Sequence, residues 1–191
     1  NCSNALTNPN GTALQSAAAN GHIAIAMNLL KHGAHVNAFS RWGTALASAV
    51  TLPGNIEMVR TLLNNGAGVE SQDGQGRTAL QLAASCGSCD IMLELLERRA
   101  DINARGTSGT ALTQAAKGGH IVAVEMLLER GAELDIEEGT AFTALQVAAF
   151  HGHKDVVQRL LNSKADVNAS CSRGSVLSLA IAYCEDNALQ F

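Results

Sequence analysis

Aromatic side chains are nearly missing from this chain: one Trp, one Tyr and four Phe make up 3% of its 191 residues. A core so poor in rings must be filled by Ala, Leu, Ile and Val, which suits small helices packed closely together. Charge is scarce too, at 16% against an average of about 25%. The net charge of −4 is modest and mixed in sign, and no basic cluster exceeds Arg98-Arg99, which argues against a nucleic-acid partner. No apolar run approaches the roughly 18 residues of a membrane span, so no membrane association is expected. The five cysteines, Cys2, Cys86, Cys89, Cys171 and Cys184, are odd in number and offer no even disulfide framework. With no signal peptide visible, free thiols in a reducing, intracellular setting are expected, cytoplasmic or nuclear.

What is abundant is repetition. Thr or Ser recurs at Thr12, Thr44, Thr78, Thr110, Thr143 and Ser175, at spacings of 32, 34, 32, 33 and 32 residues. A short helical signal follows each of the first five: "TALQSAAANG", "TALASAVTLPG", "TALQLAASCG", "TALTQAAKGG" and "TALQVAAFHG". Leu14, Ala17 and Ala18, with their counterparts, fall at i, i+3 and i+4 and so share one helix face. A second signal carries paired leucines, as in "VAVEMLLERGA", and Gly33, Gly66 and Gly131 stand where a helix would stop in the left-handed conformation. Repeats 3 and 5 place Arg99 and Lys164 at that position, where positive φ would cost about 1 kcal/mol relative to Gly. Pro53 in repeat 2 predicts an inner helix that ends early or bulges. A unit of about 33 residues cannot bury its apolar faces alone, so the pattern predicts stacked units sharing one continuous core.

Thr-Ala-Leu-Gln-x-Ala-Ala-x-x-Gly-His, closed by Leu-Leu-x-x-Gly-Ala-x-Val-Asn, resembles the ankyrin repeat over essentially the whole chain. The Thr-Ala-Leu-Gln spelling is similar to that in ankyrin arrays of large filamentous-fungal proteins. The resemblance implies an all-α ankyrin-repeat solenoid of stacked helix-turn-helix units with β-hairpin loops. Residues 1–191 then form a single ankyrin-repeat domain, with 1–11 the end of a preceding unit, repeats starting near 12, 44, 78, 110 and 143, and a partial repeat over 175–191. Leu177, Leu179 and Ile181 near an open end read as part of a longer array in a larger protein.

Catalysis is not expected. Cys86-Gly-Ser-Cys89 lacks the βαβ setting of a redox pair and the further ligands of a zinc site, so both thiols read as packing residues. His151 and His153 near Asp155 suggest a metal or a base. Yet His153 shares the register of His22 and His120, where the resemblance implies a hydrogen bond tying helix to loop. No phosphate loop or nucleophile elbow is present, Glu137-Glu138 is the one acidic pair that stands out, and no cofactor or metal is expected. Asn37, Asn103 and Asn168 occupy the position that asparaginyl hydroxylases modify in animal ankyrin proteins; the plainer reading is a side chain bonded to its own turn.

The expected function is protein–protein interaction by a monomer, with another protein or peptide segment as partner. In the family the concave side is built from hairpin tips and the exposed ends of inner helices. By register this points to Ser40, Arg41 and Trp42, then Gln75 and Arg77, Arg105 and Thr107, Thr140 and Phe142. On the inner helices it points to Asn20, Leu52, Ser85, Cys86, Lys117, Phe150 and His151. Arg41, Trp42, Gln75, Arg77, Thr107, Lys117, Phe142, Phe150 and His151 are the expected partner-binding set, because aromatic and Arg residues are the types enriched in binding hot spots. The competing reading has Trp42 and Phe142 packed against neighbouring hairpins. A structural spacer between flanking domains, or an enzyme using Cys86 as nucleophile, are the other functional classes.

Overall fold

The computed structural model describes residues 11–106, 108–134, 142–171 and 174–175. Thr107, Thr140, the acidic pair Glu137-Glu138, and Leu177, Leu179 and Ile181 of the partial repeat lie outside the described residues. The fold is all-α, and contacts divide the chain into two compact units, Asn1–Asp101 and Ile102–Phe191. In the first unit, α1 (Ala13–Ala19) and α2 (Ile23–Lys31) form a helix-turn-helix pair. It is followed by the pairs α3 (Ala45–Val50) with α4 (Ile56–Asn64) and α5 (Ala79–Ser85) with α6 (Cys89–Glu97). The second unit holds α7 (Ala111–Gly118) with α8 (Ile121–Glu129) and α9 (Ala144–Phe150) with α10 (Lys154–Asn162). It also holds the hairpin of β1 (Ser170–Cys171) and β2 (Gly174–Ser175). Inner helix packs on inner helix (α1 on α3, α3 on α5, α7 on α9), and outer on outer (α2 on α4, α4 on α6, α8 on α10).

Each inner helix starts where the recurring Thr places it. Thr12, Thr44, Thr78, Thr110 and Thr143 are N-caps in extended conformation, their hydroxyls accepting the backbone N–H three residues on. Where Gln stands in that third position the bond is returned. Oε1 of Gln15, Gln81 and Gln146 accepts the N–H of Thr12, Thr78 and Thr143 at 2.7, 2.9 and 2.9 Å. A Thr cap is worth about 0.5–2 kcal/mol over Ala. The same amides reach further. Gln15 Nε2 donates to the carbonyls of Ala38 and Gly43 (2.9 and 2.7 Å), and Gln146 Nε2 to that of Ala169 (2.9 Å), so the side chain that closes a cap also holds the following loop.

The Ala pairs let inner helices approach: Ala18, Ala49, Ala83, Ala84, Ala115, Ala116 and Ala148 are fully buried. From the second repeat onward the first leucine of each pair carries the burial, whereas Leu29 and Leu30 of the first pair are both half-buried. Leu62, Leu95, Leu127 and Leu160 are sealed, while the second declines from Leu63 at 8% exposed to Leu161 at 38%. The inner helix α3 ends at Val50, one residue shorter than α1, ahead of Pro53. Arg99 and Lys164 do adopt the left-handed conformation, with φ of 65° and 70°. Arg99→Gly and Lys164→Gly should each raise stability by about 1 kcal/mol, read as a shift in the urea midpoint; no gain would show that these side chains contribute compensating contacts.

Two ties between repeats differ from the expectation. Asn37 does not bond its own turn: its amide donates to Gly66 O (3.0 Å) and accepts from Gly68 N–H (2.8 Å), both in the next loop. Asn103 accepts from Glu133 N–H in the same way, at 2.9 Å. At the elbow position, His153 Nε2 meets the carbonyl of Lys117 at 3.0 Å, which requires that nitrogen to carry the proton. Asn55 does the equivalent with Ala18 O (3.1 Å). The elbow residue therefore grips the end of the preceding inner helix. Gly119 makes room for it: a Cβ there would lie 2.6 Å from His153 Nδ1.

Candidate functional site

The first hairpin closes by two backbone bonds, Ser40 N–H to Gly43 O at 2.9 Å and Gly43 N–H to Ser40 O at 2.8 Å. This leaves Arg41 and Trp42 at its tip, and Trp42 N–H donates to Ser40 Oγ at 3.1 Å, fixing the turn. Trp42 is 57% exposed, and the Arg41 guanidinium carbon sits 4.4 Å from its ring centroid. The following hairpin stacks directly on this one. Thr44 N–H reaches Gln72 O at 3.3 Å, and a Cβ on Gly74 would overlap the carbonyl of Arg41. Only glycine permits that approach.

Gln75 and Arg77 lie in this second hairpin, organised around Asp73. One carboxylate oxygen accepts the N–H of Gln75 (2.8 Å) and of Arg77 (2.9 Å); the other accepts Arg77 Nε (2.8 Å) and its terminal nitrogen (2.7 Å). Partial burial opposes the charge on Asp73, but the bonds from Arg77 and Gln75 outweigh it and hold the carboxyl below its ordinary value. A depressed carboxyl contributes stability that is complete above the ordinary pKa near 4 and is lost as pH falls through the lower folded value. Asp73→Asn should therefore shrink the fall in melting temperature between about pH 5 and pH 3. An unchanged fall would show that the hairpin does not depend on this charge.

Between these hairpins and the inner helices of the first unit lies a groove of about 430 Å³. Ser16 and Ala19 of α1 and Ala47 and Ser48 of α3 line it, bordered by Trp42 and by Asp73 with Arg77. Trp42 and Arg77, both expected from the sequence, thus share one site. Gln15 and Ser48 also belong to it and were not foreseen. Asp73 was missed as well, although an acid four residues before Arg77 around Gly74 and Gly76 is a readable turn signal. Phe39, 53% exposed just before the hairpin, does not line the groove. Asn20, expected on this face, is exposed and lines the groove as well. Elsewhere in the first unit Leu52 is half-buried and Cys86 exposed.

In the second unit Lys117 is exposed on the last turn of α7, and Phe150 ends α9 at 37% exposure. Phe150 meets the His151 ring edge-on with centroids 5.1 Å apart, and His151 stacks on His153 at 6.1 Å. His151 Nδ1 bonds Val147 O at 3.0 Å. Phe142 is half-buried just ahead of Thr143, and Arg105 is exposed.

Cys86 is an exposed free thiol capping α5, and Cys89 a free, half-buried one opening α6. Burial, helped by the charge of Asp90, pushes the Cys89 thiol up, away from the reactive thiolate. Among the described residues no group of three or more His, Cys, Asp or Glu stands together to hold a metal ion. Nor is any described helix long and apolar enough to cross a membrane.

A family model described as ankyrin repeats (3 copies) matches residues 1–73, 43–106 and 106–171. No curated protein matches the chain.

Proposed function

Since the chain belongs to the ankyrin-repeat family, whose members are in general protein–protein interaction modules, we propose that it is a binding module. It takes a segment of another protein on its concave face. The carrying observation is Trp42: a large apolar side chain, 57% exposed, held at a hairpin tip and bordering a groove of about 430 Å³. Leaving such a ring in water forgoes the free energy its burial would release, and aromatic anchors next to pockets are where binding energy concentrates. Phe150 with His151 and Lys117 offers a second contact region in the other unit. The module acts as a monomer within a larger, intracellular protein, in keeping with the free thiols of Cys86 and Cys89.

Affinity capture from lysate, with the native chain beside Trp42→Ala and Phe150→Ala, tests this. Circular dichroism melts establish that all three are folded. A partner held by the native chain and lost by a folded variant is the expected result. Partners retained equally by both variants overturn the concave-face reading, and no partner at all favours a spacer.

A further inference from the structure

We propose that Arg41 sets the specificity of the first unit's groove, and that the partner segment carries an aspartate or glutamate within two positions of a bulky apolar residue. This rests on the reading of the groove as a protein-binding surface and says what it selects.

Arg77 lines the groove, Arg41 stands beside it over the Trp42 wall, and the two cations are not equivalent. Arg77 is engaged: its Nε and a terminal nitrogen both hold Asp73, and the pair is neutral as a whole. Arg41 has no carboxylate partner among the described residues. Its guanidinium lies over the Trp42 ring at 4.4 Å instead. That contact restrains the guanidinium while Arg41 stays exposed, so less rotamer freedom is lost when a ligand binds. A planar fork matches a carboxylate through two parallel, charge-assisted bonds.

The groove selects the neighbouring side chain. Ser16, Ala19, Ala47 and Ser48 are all small, which leaves its volume of about 430 Å³ open to a large group. Three of the polar side chains along it already have their donors committed. Ser48 Oγ donates to Thr44 O (3.1 Å), Asn20 Nδ2 to Ser16 O (2.8 Å), and Gln15 Nε2 to Ala38 and Gly43. An apolar side chain can therefore enter without stranding those donors, and the exposed indole of Trp42 gives it an apolar wall. Because Arg41 and Trp42 are adjacent in the chain, the two groups they recognise are close together in the ligand.

The test is panning of a random nonapeptide phage library against the native chain, Arg41→Glu, Arg41→Gln and Trp42→Ala, each confirmed folded by its melt. The native chain should enrich peptides with Asp or Glu within two positions of Leu, Met or Phe. Arg41→Glu should keep the apolar residue and exchange the acid for Lys or Arg. Arg41→Gln should bind the native-selected peptide about tenfold or more weakly by fluorescence polarisation. Peptides that depend on Trp42 but show the same charge preference on the native chain and both Arg41 variants would overturn the inference and leave the groove reading standing. No enrichment, or binding that Trp42→Ala leaves untouched, would overturn both.

Discussion

Leu95→Ala is expected to cost about 2–5 kcal/mol, a fall of roughly 4–20 °C in the melting midpoint for a chain of this size. Leu95 is fully buried on α6 and shares its register with Leu62, Leu127 and Leu160, all equally sealed. The neighbouring inner helix presents Ala83 and Ala84, which are already packed with no exposure, so little can move in to fill the cavity. The contrast that gives this prediction its force is Leu161→Ala. Leu161 is the second leucine of its pair and 38% exposed, so its truncation should cost less than about 1 kcal/mol. Chemical denaturation of both variants decides the matter. Equal losses would mean that the leucine pair works as a unit and that burial does not apportion its energy.

Gly74→Ala should have the second large effect, about 1–3 kcal/mol with a change at the groove as well. The obstacle is the backbone of Arg41, which cannot swing aside as a flexible side chain would. Either the two hairpins separate or the second distorts, and both outcomes move the tip that carries Arg41 and Trp42. Trp42 is the single tryptophan of the chain, so its fluorescence reports that movement without interference. Gly33→Ala is the control. Gly33 has φ of 85° but no heavy atom within 4 Å of the added methyl, so it should show only the conformational cost of about 1 kcal/mol and an unaltered Trp42 spectrum. A Gly74→Ala chain with native fluorescence would mean that the stacked hairpins tolerate separation.

The helix pairs were legible in the sequence because their signals are local. A Thr cap acts three residues on, the Ala face repeats at three and four, and the left-handed stop follows each leucine pair at a fixed offset. Even the departures could be read this way: Arg99 and Lys164 take positive φ because the register demands it, against their own preference. What stayed hidden were bonds whose partner stands about one repeat away. The short polar side chain of Asn37 suits a bond to its own turn equally well, and nothing local reveals that its partner is 29 to 31 residues on. The candidate site was legible only in part. Trp42 and Arg41 stood out as odd choices for solvated positions, but the neutralisation of Arg77 depends on where the Asp73 carboxylate points.

The ties from Gln15, Ala18 and Asn37 of the first unit, and from Asn103, Lys117 and Gln146 of the second, all run to groups 23 to 37 residues further along the chain. On the ribosome each helix pair therefore emerges before the groups that complete it. At about 5–20 residues per second it waits roughly one to seven seconds with those donors and carbonyls served by water alone. No piece smaller than one helix pair together with the loop and elbow of its successor can complete these bonds during synthesis. A pause in translation just after a leucine pair would leave the newest pair unfinished, whereas a pause one elbow later would let it close.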